Sequence, residues 1–280
     1  MPLDSTLRPT TCRQRLFNWG ERTFVMGIVN LSPDSFSGDG FRTIDAAVEQ
    51  AKRFVAGGAD IIDIGGESTR PNSQPVTIDE EIARLVPAIE KLGQELSVPI
   101  SVDSYKYDVV KEAIRAGAHI INDVWGLKRE PRLAVLAAEH NLPIVLTSNQ
   151  RDNPCKGDII AELLADLKHS ISLCKDAGVA AENIIIDPGI GFGKTVEQNL
   201  EIIGRLAELK ILGKPILLGT SRKSFIGLTL DLPAGERLEG TAATNAIGIA
   251  HGADIIRVHD VNFMSRVAKM SDGVIRRKTQ

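Results

Sequence analysis

The strongest constraint on this chain is a recurrence. Eight short, apolar, largely β-branched runs are separated by helix-patterned stretches: Phe24–Val29, Asp60–Ile64, Pro99–Val102, His119–Ile121, Pro143–Leu146, Ile184–Ile186, Pro215–Leu218 and Asp254–Val258. The runs are continuously apolar rather than alternating, the pattern of parallel strands covered on both faces. Between them lie amphipathic stretches such as Ile44–Ala56, Asp79–Leu96, Tyr107–Ala116, Ile159–Ala177, Val196–Leu209 and Ala242–His251. With an N-terminal segment of about 20 residues set aside, each unit takes roughly 32 residues, the size of one βα repeat. Eight units suit a closed (β/α)8 TIM barrel better than an open doubly wound sheet, which usually carries five or six strands. The prediction is one α/β domain spanning all 280 residues. In it, residues 1–23 form a short N-terminal extension and 274–280 a solvated tail. Thr11–Thr23, around Asn18-Trp19-Gly20, is the candidate for a hairpin closing the barrel bottom.

An internal echo supports the count. Gly58-Ala59-Asp60-Ile61-Ile62-Asp63, Gly117-Ala118-His119-Ile120-Ile121-Asn122 and Gly252-Ala253-Asp254-Ile255-Ile256-Arg257 share one pattern. In each, a helix-ending Gly leads into a strand and the sixth position is polar, where a barrel strand reaches the active-site mouth. Taken over all strand ends and the loops just after them, the polar set is Asn30, Asp63, Asp103, Asn122, Asp187, Lys223, Arg257 and His259. Its carboxylates and carboxamides suit a flat heterocycle rich in N–H donors, such as a guanine or pterin edge. Its cations suit an anion, because loops after the seventh and eighth strands are the habitual phosphate site of this fold. Arg257 and His259, two apart on an extended segment, point to the same side and could share one phosphate.

Other classes are excluded on specific grounds. The formal charge of −3 provides no basic field for nucleic acid. No apolar run approaches the ~18 residues of a membrane span, and no apolar leader is visible, so a cytoplasmic protein is expected. Cys12, Cys155 and Cys174 are too few and scattered for a disulfide framework. Gly189-Ile190-Gly191-Phe192-Gly193-Lys194-Thr195 imitates a phosphate loop, but the position of the first Walker glycine is Pro188. The histidines show no zinc spacing.

Assembled in order, these segments make the chain resemble the dihydropteroate synthases of the pterin-binding TIM-barrel family, from about Phe24 to Val261. The matching motifs are Met26–Asn30 with Ser32–Phe36, Asp63–Pro71, Ser101–Asp103, Ile121–Asp123, Asp187–Lys194, Ser221–Ser224 and Arg257–Asp260. The resemblance implies condensation of 7,8-dihydropterin-6-ylmethyl diphosphate with 4-aminobenzoate. It implies pterin contacts at Asp103, Asn122, Asp187 and Lys223, and diphosphate contacts at Asn30, Arg257 and His259, with Mg2+ at Asn30. It also implies an aminobenzoate pocket and closing loops from Phe36, Thr69, Arg70, Pro71, Phe192 and Ser224. A homodimer is implied too, with the late helices Ala242–His251 and Asn262–Asp272 as candidate surfaces. Asp103, Asp187, Lys223, Arg257 and His259 are the expected catalytic set, with no covalent nucleophile. One segment departs from the family pattern: Thr147-Ser148-Asn149-Gln150-Arg151 stands where Met-His-Met-Gln-Gly is usual. A less apolar pterin contact at Asn149 or Thr147 follows. Two alternatives are a paralogous pterin-binding methyltransferase and a pterin-binding protein whose turnover is impaired by that segment.

Overall fold

A computed structural model describes residues 7–31, 43–67 and 74–276. Eight parallel strands form the barrel: β3 (Phe24–Asn30), β4 (Ile61–Gly65), β5 (Ile100–Asp103), β6 (Ile120–Asp123), β7 (Ile144–Thr147), β8 (Ile184–Asp187), β9 (Leu217–Leu218) and β10 (Ile255–Val258). Their order, β8-β7-β6-β5-β4-β3-β10-β9, follows the chain around the ring. A parallel bridge between Ile186 and Ile216 closes it. Helices α1 (Ile44–Ala56), α2 (Ile78–Glu95), α3 (Tyr107–Arg115), α4 (Arg132–Glu139), α5 (Ile159–Asp176), α6 (Val196–Gly204), α7 (Ser224–Leu230), α8 (Leu238–Ala250) and α9 (Val261–Ile275) wrap it. The predicted α/β barrel is therefore the observed fold. Helix α4 lies outside the expected stretches. Its Leu133–Ala138 core is apolar at every position, so no polar face marks a helical period.

The strand period divides the core in two. Outward-facing Val25, Val29, Ile62, Ile64, Val102 and Ile121 pack with the helices. Inward-facing Met26, Ile61, Ile120, Val145, Ile185, Leu217 and Ile255 form a separate apolar layer low in the barrel. Every inward row except that of β9, which reaches Gly219, then turns polar at its upper end, and this concentrates polar chemistry at one mouth.

A hairpin does plug the bottom, but earlier in the chain than expected. Strands β1 (Thr10–Cys12) and β2 (Arg15–Phe17) pair antiparallel around Arg13-Gln14. Both turn residues have positive φ, 45° and 61°, which matches the strand twist in a two-residue hairpin. Sequence does not mark this turn, because neither residue is the Asn or Gly that usually fills it. Asn18-Trp19-Gly20 instead leads into β3, and Trp19 joins Cys12, Phe17 and Phe24 under the inner apolar layer. The Arg13 guanidinium fastens the plug by donating to the Val98 and Gly93 carbonyls at 2.7 and 2.6 Å.

The echoed glycines all perform one task. Gly58, Gly117 and Gly252 have φ of 101°, 108° and 101°. The following amides of Ala59, Ala118 and Ala253 each return to the carbonyl five residues back, at 2.9 Å. These bonds end α1, α3 and α8 and aim each chain into its next strand.

Candidate active site

The three sixth positions of the echo meet inside the mouth. Asp63 is fully buried at the top of β4. Arg257 on β10 donates from Nε to Asp63 Oδ2 at 2.7 Å, and its Nη2 reaches Asp63 and Asp103 at 2.6 Å each. Asn122 on β6 donates from Nδ2 to both Asp63 oxygens at 3.2 and 3.3 Å. Register makes this possible, since Asp63 lies beside Ser101 and Asp103 beside Asn122 on neighbouring strands. Sequence reading places Asp63 on the rim without a role. Its function in the network is to orient Arg257 and Asn122.

Asp103 differs from Asp63 in one respect: its Oδ1 is buried without a hydrogen-bond partner. Such an acceptor is suited to a ligand N–H. Burial pushes the Asp103 carboxyl up to about 7, against the pull of Arg257 and with the push of Asp63. Burial also raises Asp187, opposed chiefly by Lys223. Asp187 Oδ1 accepts the Gly189 amide at 2.7 Å. Burial pulls Lys223 down to about 8, opposed by Asp187. Burial also works against the charge of Arg257, but Asp63 and Asp103 more than offset it and its pKa is raised.

Lys223 stands at the N-cap of α7 and donates to the Ile190 carbonyl at 2.5 Å. Its ammonium lies 4.8 Å from the Phe192 ring centre, with Arg151 at 4.7 Å from the same ring. Phe192 packs with Val124, Trp125 and Tyr105 in a small apolar cluster that sequence reading does not reveal. Ser224 opens α7 and is exposed. The His259 amide donates to Ser221 Oγ at 3.1 Å, and His259 Nδ1 lies 2.9 Å from the same oxygen. Arg222 grips Asp260 through Nε and Nη2 at 2.9 and 2.5 Å, tying together the loops after β9 and β10. Arg257 is turned to the Asp63 and Asp103 carboxylates inside the barrel, while His259 meets Ser221 at the loop after β9. A cavity of about 720 Å3 opens beside His259, Asp260 and Arg222 and runs between α1 and α9. Phe36, Thr69, Arg70 and Pro71 lie outside the described residues.

The departing segment is stitched into its surroundings. Asn149 donates from Nδ2 to the Val124 carbonyl at 2.9 Å and accepts the Arg151 amide at 3.1 Å. Its carboxamide therefore organises the loop, and Thr147, aligned beside Asp187, is the residue facing the barrel interior. The imitation phosphate loop is equally structural: Thr195 caps α6 through a reciprocal box with Gln198.

Among the described residues, no group of three or more His, Cys, Asp or Glu could hold a metal ion. Asn30 ends β3 and supplies a single hard carboxamide oxygen; a Cβ on Gly65 would lie 3.8 Å from it and 3.7 Å from Asp103 Oδ2. That donor set suits an ion such as Mg2+ that keeps its waters and takes substrate phosphate oxygens.

The family model for pterin binding enzymes matches residues 26–259, a span holding both the Asp63–Arg257 network and Lys223. The chain belongs to the pterin-binding enzyme family. Within that family it stands among the dihydropteroate synthases, transferases of folate biosynthesis. A dihydropteroate synthase of Clostridium beijerinckii is 54% identical over 93% of this chain and 97% of the relative. One from Bacillus subtilis is 51% identical over 92% and 90%. A Clostridium difficile dihydropteroate synthase solved in the presence of pteroic acid superposes with a TM-score of 0.89, at 48% identity, over 93% of this chain and all of that one. A Xanthomonas albilineans dihydropteroate synthase with 4-aminobenzoic acid gives 0.89 at 38% identity, over 96% and 98%.

Proposed function

We propose that this pterin-binding enzyme joins 7,8-dihydropterin-6-ylmethyl diphosphate to 4-aminobenzoate, releasing 7,8-dihydropteroate and diphosphate. The observation that carries the reading is the buried Asp63–Arg257–Asp103–Asn122 network with its unpartnered Asp103 Oδ1. It is a donor-seeking wall for the amino-amide edge of a pterin, and the same chemistry continues to Asp187 and Lys223. The methylene–oxygen bond to diphosphate breaks while the aniline nitrogen forms the new carbon–nitrogen bond and then sheds its proton. Because an uncharged aniline is already nucleophilic, the site needs no strong base. Asp103 and Asp187 would favour positive charge developing on the pterin, and Arg257, through the Nη1 that makes none of the carboxylate bonds above, would meet the departing anion. His259 serves the same end of the site.

Asn30 would hold Mg2+, which when bound supplies charge neutralisation for the diphosphate. Phe36, Thr69, Arg70, Pro71, Phe192 and Ser224 would shape the aminobenzoate side. A homodimer is proposed on α7, α8 and α9, which expose Leu228, Ile247, Phe263 and Met270. The cytoplasm is the proposed compartment, in keeping with three free cysteines. The test is diphosphate release from the two substrates and Mg2+. Release dependent on aminobenzoate is the expected result, and no release from a protein that still binds pterin would overturn the reading in favour of a binding protein.

A further inference from the structure

Lys194 invites assignment as a phosphate ligand, yet its ammonium is turned inward. Nζ donates to three main-chain carbonyls: Ser148 at 2.8 Å, Gly189 at 3.0 Å and Phe192 at 3.3 Å. Those carbonyls belong to two different loops, after β7 and after β8. The loops are pressed backbone to backbone, since a Cβ on Gly193 would overlap main-chain atoms of Gln150 and Arg151. The second loop in turn holds Lys223 through the Ile190 carbonyl and presents Phe192 beneath its ammonium. We propose that Lys194 is a positioning residue, a three-point brace that sets the 189–193 loop and, through it, the placement of Lys223 at the pterin end of the site.

The proposal rests on the reading of Lys223 as a pterin contact only for its functional consequence. An ammonium has three donors, and here all three are used on carbonyls, so none remains for a phosphate. Asp187, Lys223, Lys128 and Asp166 are the charged groups acting on it. Among the described residues, no carboxylate forms a salt bridge with it.

The experiment compares wild type, Lys194→Met and Lys194→Gln. Reductive methylation followed by peptide mapping reads the accessibility of Lys223, and calorimetry with pteroic acid reads pterin-end affinity. Loss of charge-assisted bonds of this kind predicts Lys223 labelling faster by about fivefold and pteroate affinity weaker by about tenfold, with circular dichroism unchanged. Unchanged Lys223 labelling in either folded variant overturns the brace, whatever the catalytic result. Faster labelling with unchanged pteroate affinity retains the brace and instead removes Lys223 from the pterin site. Lys194→Gln keeps two donors and serves if the methionine variant does not fold; its labelling should fall between the other two.

Discussion

The chemistry of the mouth turns on a few side chains whose partners are fixed by strand register. Asp63 and Arg257 are 194 positions apart in the chain and 2.7 Å apart in space. Removing one member of such a pair strands the other. Asp63→Ala is expected to lower stability by about 3 kcal/mol in denaturant melts and to weaken pterin binding, with Asp103 retaining part of the Arg257 contact. Acidification acts on Asp103. Asp103 is neutral below about 7 and ionised above it, so pterin affinity should rise as pH climbs toward neutrality. On the alkaline side, Lys194 and Lys223 lose charge from about 7 and about 8, so affinity should fall again. Titration calorimetry across this range checks the narrow optimum, and Asp103→Asn should lack the acid limb. Asn149→Met should not restore a missing apolar contact. With its bonds to Val124 and Arg151 removed, it should weaken pteroate binding, whereas Thr147→Met acts on the pocket itself.

At the level of elements, glycines show how differently equivalent residues behave. Gly189 has φ of 68°, and a Cβ there would overlap the Ser148 carbonyl oxygen. Gly189→Ala should therefore displace the loop that holds Lys223 and abolish pterin binding. A Cβ added at Gly93, inside α2, meets nothing within 4 Å, so Gly93→Ala should raise stability by about 1 kcal/mol. The bottom of the barrel carries its own pH response. Burial, aided by Arg13, pulls His119 down to about 4 from 6.5. The folded state then binds fewer protons than the unfolded chain, so this contribution is present above pH 6.5 and lost as pH falls through about 4. Thermal melts of His119→Gln should show a flatter acid slope over that window.

The strands were legible because each is continuously apolar and bounded by Gly or Pro, and the sixth-position echo marked three mouth residues directly. The contacts among them were not, because register across β4, β5, β6 and β10 decides which polar ends touch. The same limit hid the true partners of Lys194 behind a familiar glycine spacing. The hairpin turn stayed hidden because Arg13 and Gln14 adopt left-handed φ without being the usual residues.

For the whole molecule, the layout is a barrel open at one end and stoppered at the other. Exposed apolar side chains on α7, α8 and α9, including Leu228 and Met270 at 71% and 69% exposure, make a dimer the expected solution state. Sedimentation should give a concentration-dependent dimer, and Ile247→Lys should shift it to monomer. The stopper also has a consequence for how the chain is made. Thr10 bonds to the Glu182 carbonyl, Cys12 reaches His119, and the Thr23 amide and hydroxyl both bond to Asp272, 249 positions later. A segment that leaves the ribosome early must thus wait for partners that leave it late. The β3–β10 pairing likewise spans the chain, whereas the other barrel strands pair with their neighbours in sequence, so closing the ring and seating the stopper come late and leave one edge of β3 unpaired until then. An extension fused close to Thr10 would act on this waiting step before it acted on any catalytic one.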